Sequence, residues 1–110
     1  ASFADWLEIA NLKAEYCRLL DTKDWEGWGQ LFTDDFHLDV TGSGGDVVIG
    51  RDAVVASVRG AIETTKTAHQ VHFPQIGIDG DRATGIWPMQ DRLIWEDGRT
   101  MGAGGSPVKR

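Results

Sequence analysis

The sequence predicts an α+β fold, with helices first and antiparallel hairpins after them. Three observations lead there. Apolar residues recur at helical spacing in most of the first 62 residues, and alternation with period two takes over from His69. Asp79-Gly80-Asp81 and Asp97-Gly98 then supply the turn signals that successive hairpins need.

The first helix is expected from Asp5 to Leu20. Trp6, Ile9, Ala10, Leu12, Tyr16, Leu19 and Leu20 fall three and four apart, interleaved with Glu8, Lys13, Glu15 and Arg18. A short second helix follows from Asp24, a good N-cap, to Phe32, with Trp25, Trp28, Leu31 and Phe32 on one side. Phe36 to Val40 alternates as a strand before the Gly-rich run Thr41 to Gly45, and Val47 to Ile49 offers a partner strand. Gly50-Arg51-Asp52 leads into a third helix carrying Ala53, Val54, Val55, Val58, Ala61 and Ile62. After a linker at Thr64 to Thr67, strand character begins at His69 and continues through Ile76 and Ile78 to the turn at Gly80. One long strand is expected from Arg82 to Trp95. Residues 1–101 then form the domain, and 102–110 are expected to be a loose Gly-rich tail.

Composition restricts function before any motif does. At 110 residues there is room for one core, and 41% hydrophobic residues is ordinary for a globular chain. Eleven basic against 17 acidic residues give a net charge of −6, which argues against nucleic acid as a partner. No stretch approaches the length of a membrane span, so no membrane partner is expected. The N-terminus shows no basic and apolar leader pattern, and Cys17 is the only cysteine; together these point to a cytoplasmic protein. Five Trp and four Phe suit a dense core or an apolar pocket equally well.

The long strand holds the most informative pattern. Ala83, Gly85, Trp87, Met89, Asp91, Leu93 and Trp95 share one face, which sets Asp91 in an apolar row. A carboxyl there must pair, hydrogen-bond or take up a proton, unless the strand bends into solvent at that point. His69 shares a face with Val71 and Phe73, while His72 points the other way. Taken alone, a histidine such as His69 is more often a hydrogen-bonded structural residue than a catalytic one. Asp21 ends the first helix, where its charge faces the negative end of the helix dipole; a turn residue is its plain alternative. Tyr16 is a core aromatic by position, about 140° around an ideal helix from Asp21. His37 and Asp39 share a strand face without a third ligand, so no metal site is expected. Gly42-Ser43-Gly44-Gly45 lacks the following Lys-Ser/Thr of a phosphate cradle, and no Gly-x-Ser-x-Gly elbow occurs.

In order, Tyr16-Cys17-Arg18-Leu19-Leu20-Asp21, Asp24-Trp25-Glu26, Leu31-Phe32-Thr33-Asp34-Asp35, Gly50-Arg51-Asp52-Ala53 and His69-Gln70-Val71-His72 resemble the SnoaL-like branch of the nuclear-transport-factor-2-like superfamily. The resemblance spans residues 5 to 96. It implies an NTF2-like cone, three helices packed on a strongly curved sheet around a deep apolar pocket, and chemistry that in many members uses no metal or organic cofactor. Bile-acid dehydratases and scytalone dehydratase are the most similar catalytic patterns. Tyr16, Asp21, His69 and Asp91 match the first group's Tyr, Asp, His and second Asp.

The resemblance therefore implies a dehydratase or isomerase acting on a hydrophobic small molecule, polycyclic or terpenoid-like, with Phe73, Trp87 and Met89 shaping its pocket. A ligand-binding or assembly module without catalysis is the alternative. The long terminal strands that complete the family's sheet have no counterpart pattern after Met101, so they are expected to be missing. A homo-oligomer, dimer or trimer, is expected from the family habit and the incomplete sheet.

Overall fold

The structure is a computed structural model that describes residues 2–104 and 108–109, with side chains for residues 2–101. Helix α1 runs Phe3–Asp21, two residues earlier and one later than its apolar spacing requires. Ser2 sets the start by accepting the Asp5 N–H at 3.2 Å. The end is a left-handed turn at Lys23, φ 61°, which lets the Lys23 and Asp24 N–H groups close on the Leu20 and Leu19 carbonyls. Asp24 then caps α2 (Trp25–Gly29) by accepting the Gly27 N–H at 2.9 Å.

Strands β1 (His37–Asp39) and β2 (Val47–Ile49) form a small antiparallel ladder in which His37 faces Ile49. Helix α3 (Arg51–Ile62) follows from Gly50, whose φ of 96° favours glycine. The core lies where the helices meet the sheet: Leu19, Leu20, Trp28, Val54, Ile62 and Leu93 pack there, flanked by Tyr16, Trp25, Leu31 and Phe32. Trp28 is 1% exposed and touches the rings of Tyr16, Trp25 and Phe32.

The remaining strands are β3 (Lys66–Val71), β4 (Gln75–Asp79), β5 (Arg82–Trp87), β6 (Met89–Ile94), β7 (Thr100–Gly104) and β8 (Val108–Lys109). They depart from expectation in three ways. The sheet is not one strongly curved surface, because the strands fall into three ladders, β1-β2, β3-β6-β7 and β4-β5-β8. The expected long strand 82–95 is divided at Pro88, which has no N–H to give a ladder and a fixed φ. Pro74 divides the facing chain at the same level, and the His72 N–H to Pro88 carbonyl bond of 2.8 Å lies at the junction.

The third correction concerns the C-terminus. Short strands stand where a loose tail was expected: β7 pairs with β6 from Thr100 to Gly104, and β8 pairs with β5 through Val108 and Lys109. Of the expected tail, residues 102–104 and 108–109 are strand, and the rest lie outside the described residues. Ladder bonds join backbone groups, so a Gly-rich segment completes an open edge without any apolar alternation. The face pattern itself survives the break, since Gly85, Trp87, Met89, Asp91, Leu93 and Trp95 are the less exposed residues along β5 and β6 and just beyond. Gly85 is required there, because a Cβ would collide with the Trp87 ring.

Candidate active site

Asp21 is the last residue of α1, and its carboxylate reaches across to the start of β3. One oxygen lies 2.6 Å from His69 Nδ1. The His69 backbone N–H donates to the same carboxylate at 2.9 and 3.2 Å, and Thr67 Oγ1 donates at 2.9 Å. Behind Thr67, Lys23 Nζ donates to its hydroxyl at 2.8 Å. Asp21, at the end of α1, and Lys23, at the left-handed turn just after it, thus both reach β3. An aspartate at a helix C-terminus opposes the dipole, and these donors offset that cost.

His69 and Asp91 stand directly opposite one another in the β3-β6 ladder, on the face that looks into the molecule. A cavity of about 420 Å³ opens against that face. Tyr16 and Lys13 from α1, His69 and Val71 from β3, and Met89 and Asp91 from β6 line it, with Leu38 to Val40, Ser43, Val58 and Ile62 opposite. Asp21 is absent from this wall and borders the groove formed by Lys23, Glu63 and residues 64–67. Tyr16 and Asp21 therefore border different spaces, and His69 links them, touching Asp21 on one side and the cavity on the other. With Nδ1 held by the carboxylate, Nε2 is the basic nitrogen left for chemistry.

Burial is the main influence on Asp91 and raises its pKa above the ordinary carboxylate value. The facing His69 opposes this, Asp21 adds to it, and the Gln70 backbone and Lys13 oppose it more weakly. The folded state consequently binds the Asp91 proton more tightly than the unfolded chain does. The resulting stability is fully present below the ordinary pKa of about 3.9 and is lost as pH rises toward the folded value. Asp91→Asn should therefore raise the melting temperature at pH 7 and lose that advantage below about pH 4, as read by thermal denaturation across pH.

The residues expected to form pocket walls are dispersed. Met89 lies in the cavity beside Asp91. Trp87, 5% exposed, lines a second cavity of about 180 Å³ with Ile9, Leu12, Leu31, Phe32 and Phe36. Phe73 lies away from both: it is 80% exposed and rests on Trp6 at 5.4 Å between ring centroids. The strand ends before Phe73, at Val71, so period two no longer governs it. His37 and Asp39 sit on the exposed face of β1, where Asp39 accepts from Thr41. Among the described residues, no three His, Cys, Asp or Glu side chains converge as a metal site, and no helix is long and apolar enough to cross a membrane.

Lys13 escapes a reading by composition because it counts as a polar-face residue. It is 7% exposed, and its Nζ lies 3.9 Å from the centroid of the Tyr16 ring. The stripe Ile9, Lys13, Tyr16, Leu20 follows helical spacing and is the signal that locates it.

A family model for the SnoaL-like domain matches residues 1–107. The chain belongs to the SnoaL-like family. No functionally curated protein is detectably similar in sequence. Among solved structures, this SnoaL-like domain resembles a protein described as a putative aromatic ring hydroxylase from Novosphingobium aromaticivorans. The TM-score is 0.90 at 22% identity, covering 99% of this chain and 79% of the other. It also resembles Rv3472 from Mycobacterium tuberculosis, a protein of unknown function, with a TM-score of 0.82 and 26% identity over 98% of this chain and 67% of that one. A third, an NTF2-like protein with a cystatin-like fold from Novosphingobium aromaticivorans, gives a TM-score of 0.74 and 25% identity over 91% and 66% of the two chains. These likenesses place the SnoaL-like domain within the NTF2-like superfamily.

Proposed function

We propose that this SnoaL-like domain is a lyase that removes a proton beside a carbonyl and expels a β-hydroxyl from a hydrophobic small molecule. The observation that carries the reading is the 2.6 Å contact between Asp21 and His69 Nδ1, with the imidazole otherwise facing the cavity that holds Tyr16 and Asp91. His69 Nε2 takes the proton from carbon, and Asp21 stabilises the imidazolium that results. Tyr16 donates a hydrogen bond to the carbonyl oxygen as it gains enolate charge. Asp91, favoured in its protonated form, gives its proton to the departing hydroxyl, which leaves as water. The substrate loses one water, and a proton passed from His69 back to Asp91 through solvent resets the site.

The test is incubation of β-hydroxy ketones and enones on fused-ring frames with the protein in deuterated water, followed by mass spectrometry. Loss of water from the β-hydroxy ketones, leaving the conjugated enone, is expected. Exchange without water loss would make the domain an isomerase with the same base. Binding with neither exchange nor elimination across the set would assign it as a ligand-binding module.

A further inference from the structure

A cation stands behind the pair. Lys23 Nζ donates to Thr67 Oγ1 at 2.8 Å, Thr67 Oγ1 donates to Asp21 Oδ1 at 2.9 Å, and the same Oδ1 lies 2.6 Å from His69 Nδ1. The order of donation is fixed at both ends, because an ammonium can only donate and a carboxylate can only accept. A positive charge is thereby tied to the imidazole through two side chains. The backbone at Lys23 adds to this. Its φ of 61° lies in the left-handed region, which glycine adopts freely and a lysine adopts under strain. What lysine contributes at such a position is its side chain. Burial lowers the Lys23 pKa and the Asp21 charge raises it, as befits a half-buried ammonium near that carboxylate.

Charges reach His69 from several elements. Asp21 at the end of α1 and Asp91 opposite on β6 favour the imidazolium form, while Lys13, on the cavity wall with Tyr16, opposes it. In the rear groove Glu63 is engaged by Arg59 at 2.6 Å, and Lys66 is exposed at the start of β3. Two carboxylates beside an imidazole favour the state that is no longer a base. We propose that Lys23 is a positioning residue: through Thr67 it offsets the Asp21 charge, so that Asp21 orients the imidazole without locking it as imidazolium. The catalytic consequence rests on the lyase reading, whereas the effect on the imidazole does not.

Two measurements test it: nitrogen-15 titration of the His69 imidazole, which requires no turnover, and the pH profile of elimination. Lys23→Met removes the charge and keeps the stem. It is expected to move the imidazole midpoint and the acid limb of the profile together to higher pH, with kcat on the acid side falling roughly threefold or more and recovering as pH rises. Lys23→Arg keeps the charge and should leave both near their original places. Lys23→Gly removes the charge while relieving the left-handed turn, so it should melt close to the unsubstituted protein and still show the upward shift. A residue that merely braces the turn would not move the titration. A midpoint that stays in place or moves downward in the neutral variants would overturn the proposal, as would an upward shift that Lys23→Arg shares in full. An upward shift in a protein that eliminates water from no substrate would sustain the link to His69 and sink the lyase reading instead. If circular dichroism shows one neutral variant to be unfolded, the other decides.

Discussion

Asparagine at position 21 is expected to leave the chain folded and to lower kcat by roughly 10³–10⁴. The Asp21 carboxylate does two jobs that asparagine separates. Its oxygens accept the His69 backbone N–H and the Thr67 hydroxyl, which fixes the start of β3 against the end of α1. An amide oxygen accepts those donors nearly as well. It cannot also accept from His69 Nδ1 while presenting its NH₂, so the imidazole adopts the tautomer with Nδ1 bare and Nε2 protonated, which is useless as a base toward the cavity. Asp21→Ala is expected to differ in kind: it strands the same part-buried donors and costs about 1–3 kcal/mol of stability as well as activity. Nitrogen-15 correlation spectra of the imidazole report the tautomer, and chemical denaturation reports the stability. Full turnover in Asp21→Asn would remove the pair from the mechanism.

Trp28→Ala should be the most damaging core substitution, at about 3–5 kcal/mol. Domains of this kind are stable by only about 5–15 kcal/mol in total, so a large part of the margin goes with one side chain. Trp28 joins three other aromatic rings and sits at 1% exposure. Its indole Nε1 is buried without a hydrogen-bond partner. Trp28→Phe therefore removes an unsatisfied donor along with some packing and is expected to cost far less than alanine. Urea denaturation of the three proteins should rank them native, Phe, Ala; equal losses for Phe and Ala would mean that the indole's polar atom carries no penalty.

Local signals in the chain carried far. The cap at Asp24, helix α1, the alternation of β1 and the Gly80 turn all depend on residues within a few positions of one another, and such terms are readable from sequence. The shared face of Gly85 to Trp95 was legible for the same reason. Register was not: nothing in either segment says that His69 meets Asp91, because that depends on where the chain breaks at Pro74 and Pro88. The prolines themselves were a visible signal against an unbroken strand. Strand β7 was illegible because glycine and alanine carry no face preference, and only an unpaired β6 edge makes them a strand. Lys13 was hidden by the habit of assigning every charge to solvent, although a lysine three residues from Tyr16 and four from Ile9 lies within the apolar stripe.

The division of labour around His69 bears on how such a domain diversifies. The groups that hold the imidazole, Asp21, Thr67 and Lys23, lie outside the cavity wall, whereas Leu38, Val40, Val58, Met89 and Ser43 shape the space in front of it. Mutations that remodel the front leave the rear hydrogen bonds intact, and additivity is expected between two sets that share only His69. On the proposed lyase reading, selection can exchange one substrate for another while His69 keeps its tautomer. An engineer can do likewise, randomising the front wall in a library whose members all keep the contact between Asp21 and His69.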